Sequence, residues 1–331
     1  MKRHANLAFF VPHLGCPYKC VFCDQKSISG QQKAPDPEEV IRTCDEFLPL
    51  DSNGKTEIAF FGGSFTAIDR KLMISLLDAA YRFIRENRAS GIRISTRPDY
   101  IDEEILGILK DYGVTSIELG AQSMDDRVLK KNGRGHDSSC VDRSSRLIRN
   151  GHFSLGLQMM VGMYGAEDPV SEAVYTAERL AELDPDTVRI YPTVVVEGTA
   201  LAGLYRKGFY HPLGLDQAVE ITAGLMEFFR NRNINVIRTG LHYEDSLVRT
   251  MIAGPYHPAF GELCESVILR RKIENAVGDA RSAIVRCEPR LLSQVIGQKK
   301  SNLIYFSEKG INIEIIPDSC VRDIIIEKQL Q

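Results

Sequence analysis

Leu7-Ala8-Phe9-Phe10-Val11 runs into Cys16-Pro17-Tyr18-Lys19-Cys20-Val21-Phe22-Cys23, a short apolar segment that empties into a loop of three cysteines. The first part has the length and composition of a strand, and the spacing CxxxCxxC lets a loop bring its thiols together. In a barrel of alternating strands and helices, such a loop lies at the carboxyl end of the strands, where active sites are built. Three thiolates are one ligand fewer than a structural zinc or a fully thiolate-held iron–sulfur cluster takes. Cys44 does not supply the fourth: with Val40, Ile41, Phe47 and Leu48 it keeps the period of a buried helix face. On these residues alone, two other readings account for the motif. One is a zinc completed by a distant His or Asp such as His13; the other is two structural cysteines with a chance neighbour.

Outward from the motif the chain alternates. Strand-like runs at Leu7–Val11, Glu57–Phe61, Ile92–Thr96, Thr115–Leu119, Leu155–Val161 and Thr187–Tyr191 each lead to a helical pattern, such as Leu72, Met73, Leu76, Leu77, Ala80 and Ile84. Strict alternation over about six units predicts a parallel sheet rolled into a partial TIM-type (β/α)6 barrel, an α/β fold. One further strand is expected near Asn235–Arg238. Beyond it Gly254-Pro255-Tyr256-His257-Pro258 breaks the pattern, Cys264–Ala276 reads as helix, and Ala283–Cys287 opens a compact tail. The expected organisation is a barrel over 1–240, a helical connector packing on it over 241–282, and a small α/β tail over 283–331.

With 331 residues, 44% hydrophobic and 26% charged, the chain has material for a large core, and its net charge of -3 confines any nucleic-acid contact to local patches. No apolar run approaches the roughly 20 residues of a membrane span. Met1-Lys2-Arg3-His4 leads straight into the first strand, so no secretory leader is read. Five of the eight cysteines are scattered singly, unlike a disulfide framework, and a reducing, cytoplasmic setting is expected.

Polar and glycine-rich residues gather at the expected strand ends. Phe60-Phe61-Gly62-Gly63-Ser64-Phe65-Thr66 closes the second strand, and its glycines permit either close approach to a ligand or a tight turn. Ser95-Thr96-Arg97-Pro98-Asp99 closes the third and Glu118-Leu119-Gly120-Ala121-Gln122-Ser123 the fourth; Arg134-Gly135-His136 follows, and Gln158 lies in the fifth. Together with the cysteines these segments resemble the radical S-adenosylmethionine (SAM) superfamily, in the branch of the Elongator catalytic subunit and the oxygen-independent coproporphyrinogen oxidases. The resemblance implies a [4Fe–4S] cluster on Cys16, Cys20 and Cys23, with SAM chelating the fourth iron and yielding a 5′-deoxyadenosyl radical. It also implies SAM contacts from Gly62, Gly63, Ser64, Ser95, Gln122, Arg134 and Gln158, and an electron donor such as flavodoxin or ferredoxin. The likeness runs over about residues 7–270. The Elongator subunit has a much longer gap between its first two cluster cysteines. The tail leaves no room for that subunit's acetyltransferase domain, so acetyl-CoA-dependent carboxymethylation is not expected.

Tyr191 ends the sixth strand, where a barrel places catalytic groups. His136, His242 and His257 are candidates for the substrate side, each with a structural role as its alternative. In the tail, Val295-Ile296-Gly297-Gln298-Lys299-Lys300 between two helical segments resembles a KH RNA-binding module, with Lys300 at the second glycine of the GxxG loop. That likeness implies RNA contacts from Gly297, Lys299 and Lys300; a solvated loop on a structural cap is the alternative. Three functions follow: radical chemistry on RNA or tRNA, the same chemistry on a small molecule such as a tetrapyrrole, or a zinc-supported RNA-binding protein.

Overall fold

The structure is a computed structural model that describes residues 5–12, 16, 18–24, 33–49 and 55–329. His13 lies outside the described residues. Strand β1 (Ala5–Val11) leads by way of the cysteine loop to α1 (Pro37–Phe47), and then β2 (Thr56–Gly62), α2 (Arg70–Arg85), β3 (Gly91–Thr96), α3 (Glu103–Asp111) and β4 (Val114–Gln122) follow in strict order. Two helices, α4 (Asp126–Lys131) and α5 (Ser138–Asn150), precede β5 (Ser154–Val161), α6 (Pro169–Ala181) and β6 (Thr187–Pro192).

Each of helices α1 to α6 starts on an aspartate. Asp36, Asp69, Asp102, Asp125, Asp137 and Asp168 accept hydrogen bonds from backbone N–H groups of the first turn. A carboxylate there satisfies donors that lack an intrahelical partner and meets the positive end of the helix dipole.

Past β6 come β7 (Val195–Val196), α7 (Ala200–Arg206), α8 (Leu215–Arg230), β8 (Asn235–Thr239), α9 (Asp245–Thr250), β9 (Met251–Ala253) and α10 (Phe260–Val277). Among the described residues, seven strands form one parallel sheet in the order β1-β2-β3-β4-β5-β6-β8, with β1 and β8 at its edges. This is the expected partial barrel, with the further strand present as β8. The β7–β9 pair is an addition that its two- and three-residue strands were too short to announce.

The sheet curves because its two faces differ. Phe9, Val11, Ile58, Phe60, Ile92, Ile94, Ile117, Leu119, Leu155, Leu157, Val188 and Ile190 point outward into the helices and form the main core. Their neighbours in sequence, including Glu57, Arg93, Ser95, Ser116, Gln158, Thr187, Arg189 and Tyr191, face a cavity inside the barrel. The period of two is that of any strand, but here the second face carries charged and polar side chains among apolar ones such as Phe10, Phe61 and Met160.

The tail has β10 (Ser282–Cys287), α11 (Leu292–Ile296), α12 (Ser301–Glu308), β11 (Asn312–Pro317) and β12 (Ile324–Lys328). Strand β10 is central, parallel to β11 and antiparallel to β12. Its core of Val285, Cys287, Val295, Phe306 and Ile324 also takes Leu269, Ile273 and Val277 from α10. The same helix gives Phe260, Cys264 and Val267 to the barrel core.

Candidate active site

A cavity of about 1250 Å³ occupies the barrel interior, and Cys16, Cys20 and Cys23 line it together. Backbone bonds pin their loop: Val21 N–H to Asn132 O (3.1 Å), Cys23 N–H to Cys20 O (3.1 Å) and Leu201 N–H to Val21 O (2.7 Å). Phe22 is packed against the cluster of Val128, Met160 and Met163, as is Tyr191. The Arg97 guanidinium lies 5.0 Å above the Tyr18 ring. Arg97 pairs in bidentate fashion with Asp99 (2.9 Å for both bonds) and donates to the Arg134 carbonyl.

The electrostatics of this corner centre on sulfur. Burial pushes the Cys23 thiol far above the usual range; negative charge on Cys20 and Cys16 adds to this, and Arg134 opposes it. The Cys16 thiol is raised by burial and then by Cys20, against the Ser64 backbone N–H, Arg97 and Arg134. Arg134 Nη1 donates to Cys20 Sγ at 3.2 Å. Left alone, Cys16 and Cys23 favour their protons; a cationic metal centre inverts that preference and deprotonates its thiol ligands. Among the described residues, no group of three or more His, Cys, Asp or Glu side chains is arranged to hold a single metal ion. Three thiols around an opening, flanked by two guanidinium groups, fit a thiolate-held cluster with one position left for another ligand.

The residues expected at SAM divide by placement. Gly62, Gly63, Ser95, Gln122, Arg134 and Gln158 all line the cavity with the cysteines. Ser64 is fully buried, its hydroxyl 2.9 Å from Thr96 Oγ1 and accepting from the Arg97 N–H at 3.1 Å. It ties the ends of β2 and β3 together, and only its backbone N–H serves the site, at Cys16. Gly62 has φ +108°, and a Cβ there would meet Val11 O at 3.0 Å. The close approach that requires this glycine is therefore to β1 of its own sheet.

Gln122 sits in the left-handed region (φ +70°) beside an irregularity in the β4–β5 pairing. Its Oε1 is buried with no hydrogen-bond partner among the described residues, and an unpaired buried acceptor is costly unless a ligand satisfies it. Gln158 Nε2 lies 3.2 Å from Glu118 Oε2 and 3.4 Å from Ser95 Oγ.

Of the substrate-side candidates, Tyr191 and His242 line the cavity. Burial raises the Tyr191 phenol, although Arg189 beside it favours the charged form. His242 is lowered to about 4 by burial, Arg238 and Arg189. His136 stands behind Arg97 and Arg134, its side chain without exposure and Nδ1 3.9 Å from Asp99. His257 accepts from the Ala259 N–H at 3.1 Å, and its Nε2 is 3.1 Å from Gln298 Nε2 in the tail.

A charged layer inside the barrel was not expected from the sequence. Arg93 bridges Glu57 Oε2 (2.8 Å) and Glu118 Oε1 (3.1 Å), while Arg189 grips Glu118 with bonds of 2.6 and 2.9 Å. Glu118 is 1% exposed, so its charge depends on these partners.

In the tail, Gly297 has φ +79°, and a Cβ there would lie 2.3 Å from Ser301 Oγ and 2.8 Å from the Asn302 N atom. Packing alone requires this glycine. Asn302 is buried and donates to the Ser266, Gln294 and Val295 carbonyls, which locks α11, α12 and α10 together. Lys299 and Lys300 are exposed, and both are left-handed, at φ +51° and +63°.

The open parallel barrel, with three cysteines following its first strand, defines a class. The sequence matches the Radical SAM superfamily over residues 10–174 and the Radical_SAM C-terminal domain over residues 185–270. The chain belongs to the radical SAM superfamily, which implies a [4Fe–4S] cluster and SAM, and it is a radical SAM enzyme with an Elp3-like core. Among its relatives, the tRNA uridine(34) acetyltransferase of Dehalococcoides mccartyi is 27% identical over 62% of this chain and 52% of its own length. Human Elongator complex protein 3 is 29% identical over 52% of this chain and 35% of its own. The solved Elp3 of Methanocaldococcus infernus shares the fold with a TM-score of 0.64 at 21% identity, covering 81% of this chain and 63% of that one. The chain thus spans about half the length of the tRNA uridine(34) acetyltransferases it matches. Among the described residues, no helix is long and apolar enough to cross a membrane.

Proposed function

We propose that this enzyme cleaves SAM reductively at a [4Fe–4S] cluster held by Cys16, Cys20 and Cys23 and acts on RNA, with tRNA as the substrate. The observation that carries the reading is one cavity lined by the three thiols, by Gln122, whose Oε1 has no partner among the described residues, and by polar residues of the barrel's inner face. When bound, the cluster and SAM supply a 5′-deoxyadenosyl radical that abstracts hydrogen. Arg134 and Arg97 hold positive charge beside the thiolates. Gln122, Gln158 and Ser95 offer the amide and hydroxyl groups that orient SAM, and the segment around Gly62, Gly63 and Ser64 offers backbone groups. Tyr191, braced by Arg189, faces the substrate space. A flavodoxin or ferredoxin in a reducing, cytoplasmic compartment would deliver the electron.

The choice of tRNA rests on the relatives whose names carry tRNA uridine(34), and on the paired lysines of the tail. Acetyl transfer is not part of the proposal. Mass spectrometry of tRNA nucleosides from cells with and without the gene tests the reading. A nucleoside present only with the intact gene supports it; identical nucleoside profiles, with a small molecule accumulating instead, would move the chemistry to that molecule.

A further inference from the structure

Strand β8 is an edge of the barrel, and Arg238 on it has no counter-ion among the described residues. The other arginines on the inner faces of the strands are paired: Arg93 with Glu57 and Glu118, and Arg189 with Glu118. Arg238 lines the same cavity, yet its hydrogen bond runs from Nε to the Gly240 carbonyl at 3.2 Å. Tyr191, Arg189 and His242 stand around it. Glu244 also lines the cavity but makes no ion pair with it among the described residues. Arg189 repels Arg238, and partial burial strips it of water. A cation kept there without a carboxylate is a standing demand for an anion. The thiols line the same cavity, and Phe22 of their loop packs against the apolar cluster that also takes Tyr191.

We infer that Arg238, with the Tyr191 hydroxyl and the His242 ring beside it, forms an oxyanion subsite that holds a phosphate or carboxylate group of the substrate in the cavity that the cluster cysteines also line. The subsite deepens the proposed function, on which it rests, by fixing the charge of the substrate. A phosphate would come from an RNA backbone or a nucleotide, a carboxylate from an acidic side group. An arginine suits either, because its planar fork donates two parallel bonds to an oxyanion.

The test uses the full chain with its cluster reconstituted, titrated at constant ionic strength with inorganic phosphate and separately with acetate. Saturable binding of phosphate or of acetate is expected, and the tighter of the two names the source. Arg238→Gln should weaken that binding about tenfold or more, since it removes a charge-assisted hydrogen bond. Arg238→Lys, which keeps the charge, should retain most of it, and SAM affinity should not change in either variant. If neither anion binds, if Arg238→Gln binds as the unmodified protein does, or if Arg238→Gln weakens SAM instead, the subsite does not exist as described. Retention of tRNA by the same proteins separates the two claims. A chain that holds phosphate but no tRNA keeps the subsite and loses the RNA substrate.

Discussion

His136 is the clearest case of an environment overruling a side chain's ordinary chemistry. Burial, Arg134 and Arg97 lower it to about 4, against the partial pull of Asp99. An unfolded chain protonates this histidine near pH 6.5. As pH falls from 6.5 to 4, the unfolded state therefore binds a proton that the folded state refuses, and stability drops across that window. At 1.36 kcal/mol per pKa unit the loss is roughly 3 kcal/mol at most. Urea unfolding at pH 7.5 and pH 5 should show a smaller loss for His136→Phe than for the unmodified chain; equal losses would place the titration elsewhere. Tyr191 calls for a different measurement. Tyr191→Phe should reduce product formation while 5′-deoxyadenosine is still released without coupling, whereas full activity would remove the phenol from the reaction. The cysteines were legible as a set because three of one rare type fall within eight residues. The direction of the Ser64 side chain was not legible, since a hydroxyl in sequence gives no sign that it will turn inward to Thr96.

Strands β2 to β6 carry their message in period two. Gly91-Ile92-Arg93-Ile94-Ser95-Thr96 alternates apolar and polar residues although all six positions are buried. A parallel sheet covered on both faces ordinarily reads as a continuous apolar run. Alternation in a buried parallel strand therefore marks a polar interior, and it is the signal in the sequence that points Arg93, Glu118 and Arg189 inward. Arg93→Met should destabilise the protein by roughly 3–5 kcal/mol, because Glu57 and Glu118 would lose a shared cation in a place with little water. A change below about 1 kcal/mol in the urea midpoint analysis would mean that solvent already reaches them. Loss of a capping aspartate is a milder matter. Asp69→Ala should cost about 1 kcal/mol through the Lys71 and Leu72 N–H groups it leaves bare. The β7–β9 pair was not readable, since two or three residues carry no period.

Helix α10 joins the molecule's two cores, with Phe260 and Cys264 on the barrel side and Leu269, Ile273 and Val277 on the tail side. From the sequence the tail opens at residue 283; helix α10 ends at Val277, with Gly278 as its C-cap. What the sequence could not show is how much of the tail's core lies upstream of that stop. Removing residues 283–331 would uncover those three apolar side chains and the Ser266 groups that Asn302 satisfies. A lower unfolding temperature and aggregation are expected, while changing Lys299 and Lys300 to Glu should leave the fold intact and weaken RNA retention with a flatter salt dependence. A truncated chain that stays soluble and binds tRNA as well as the full chain would exclude the tail from both roles. The most direct measurement on the whole molecule is anaerobic reconstitution followed by metal analysis and incubation with SAM, a reductant and tRNA. The expected result is about four irons per chain, release of 5′-deoxyadenosine, and loss of both when any one of Cys16, Cys20 or Cys23 becomes Ala. Zinc in place of iron, or 5′-deoxyadenosine formed undiminished by the Cys20→Ala variant, would contradict the cluster and its three ligands.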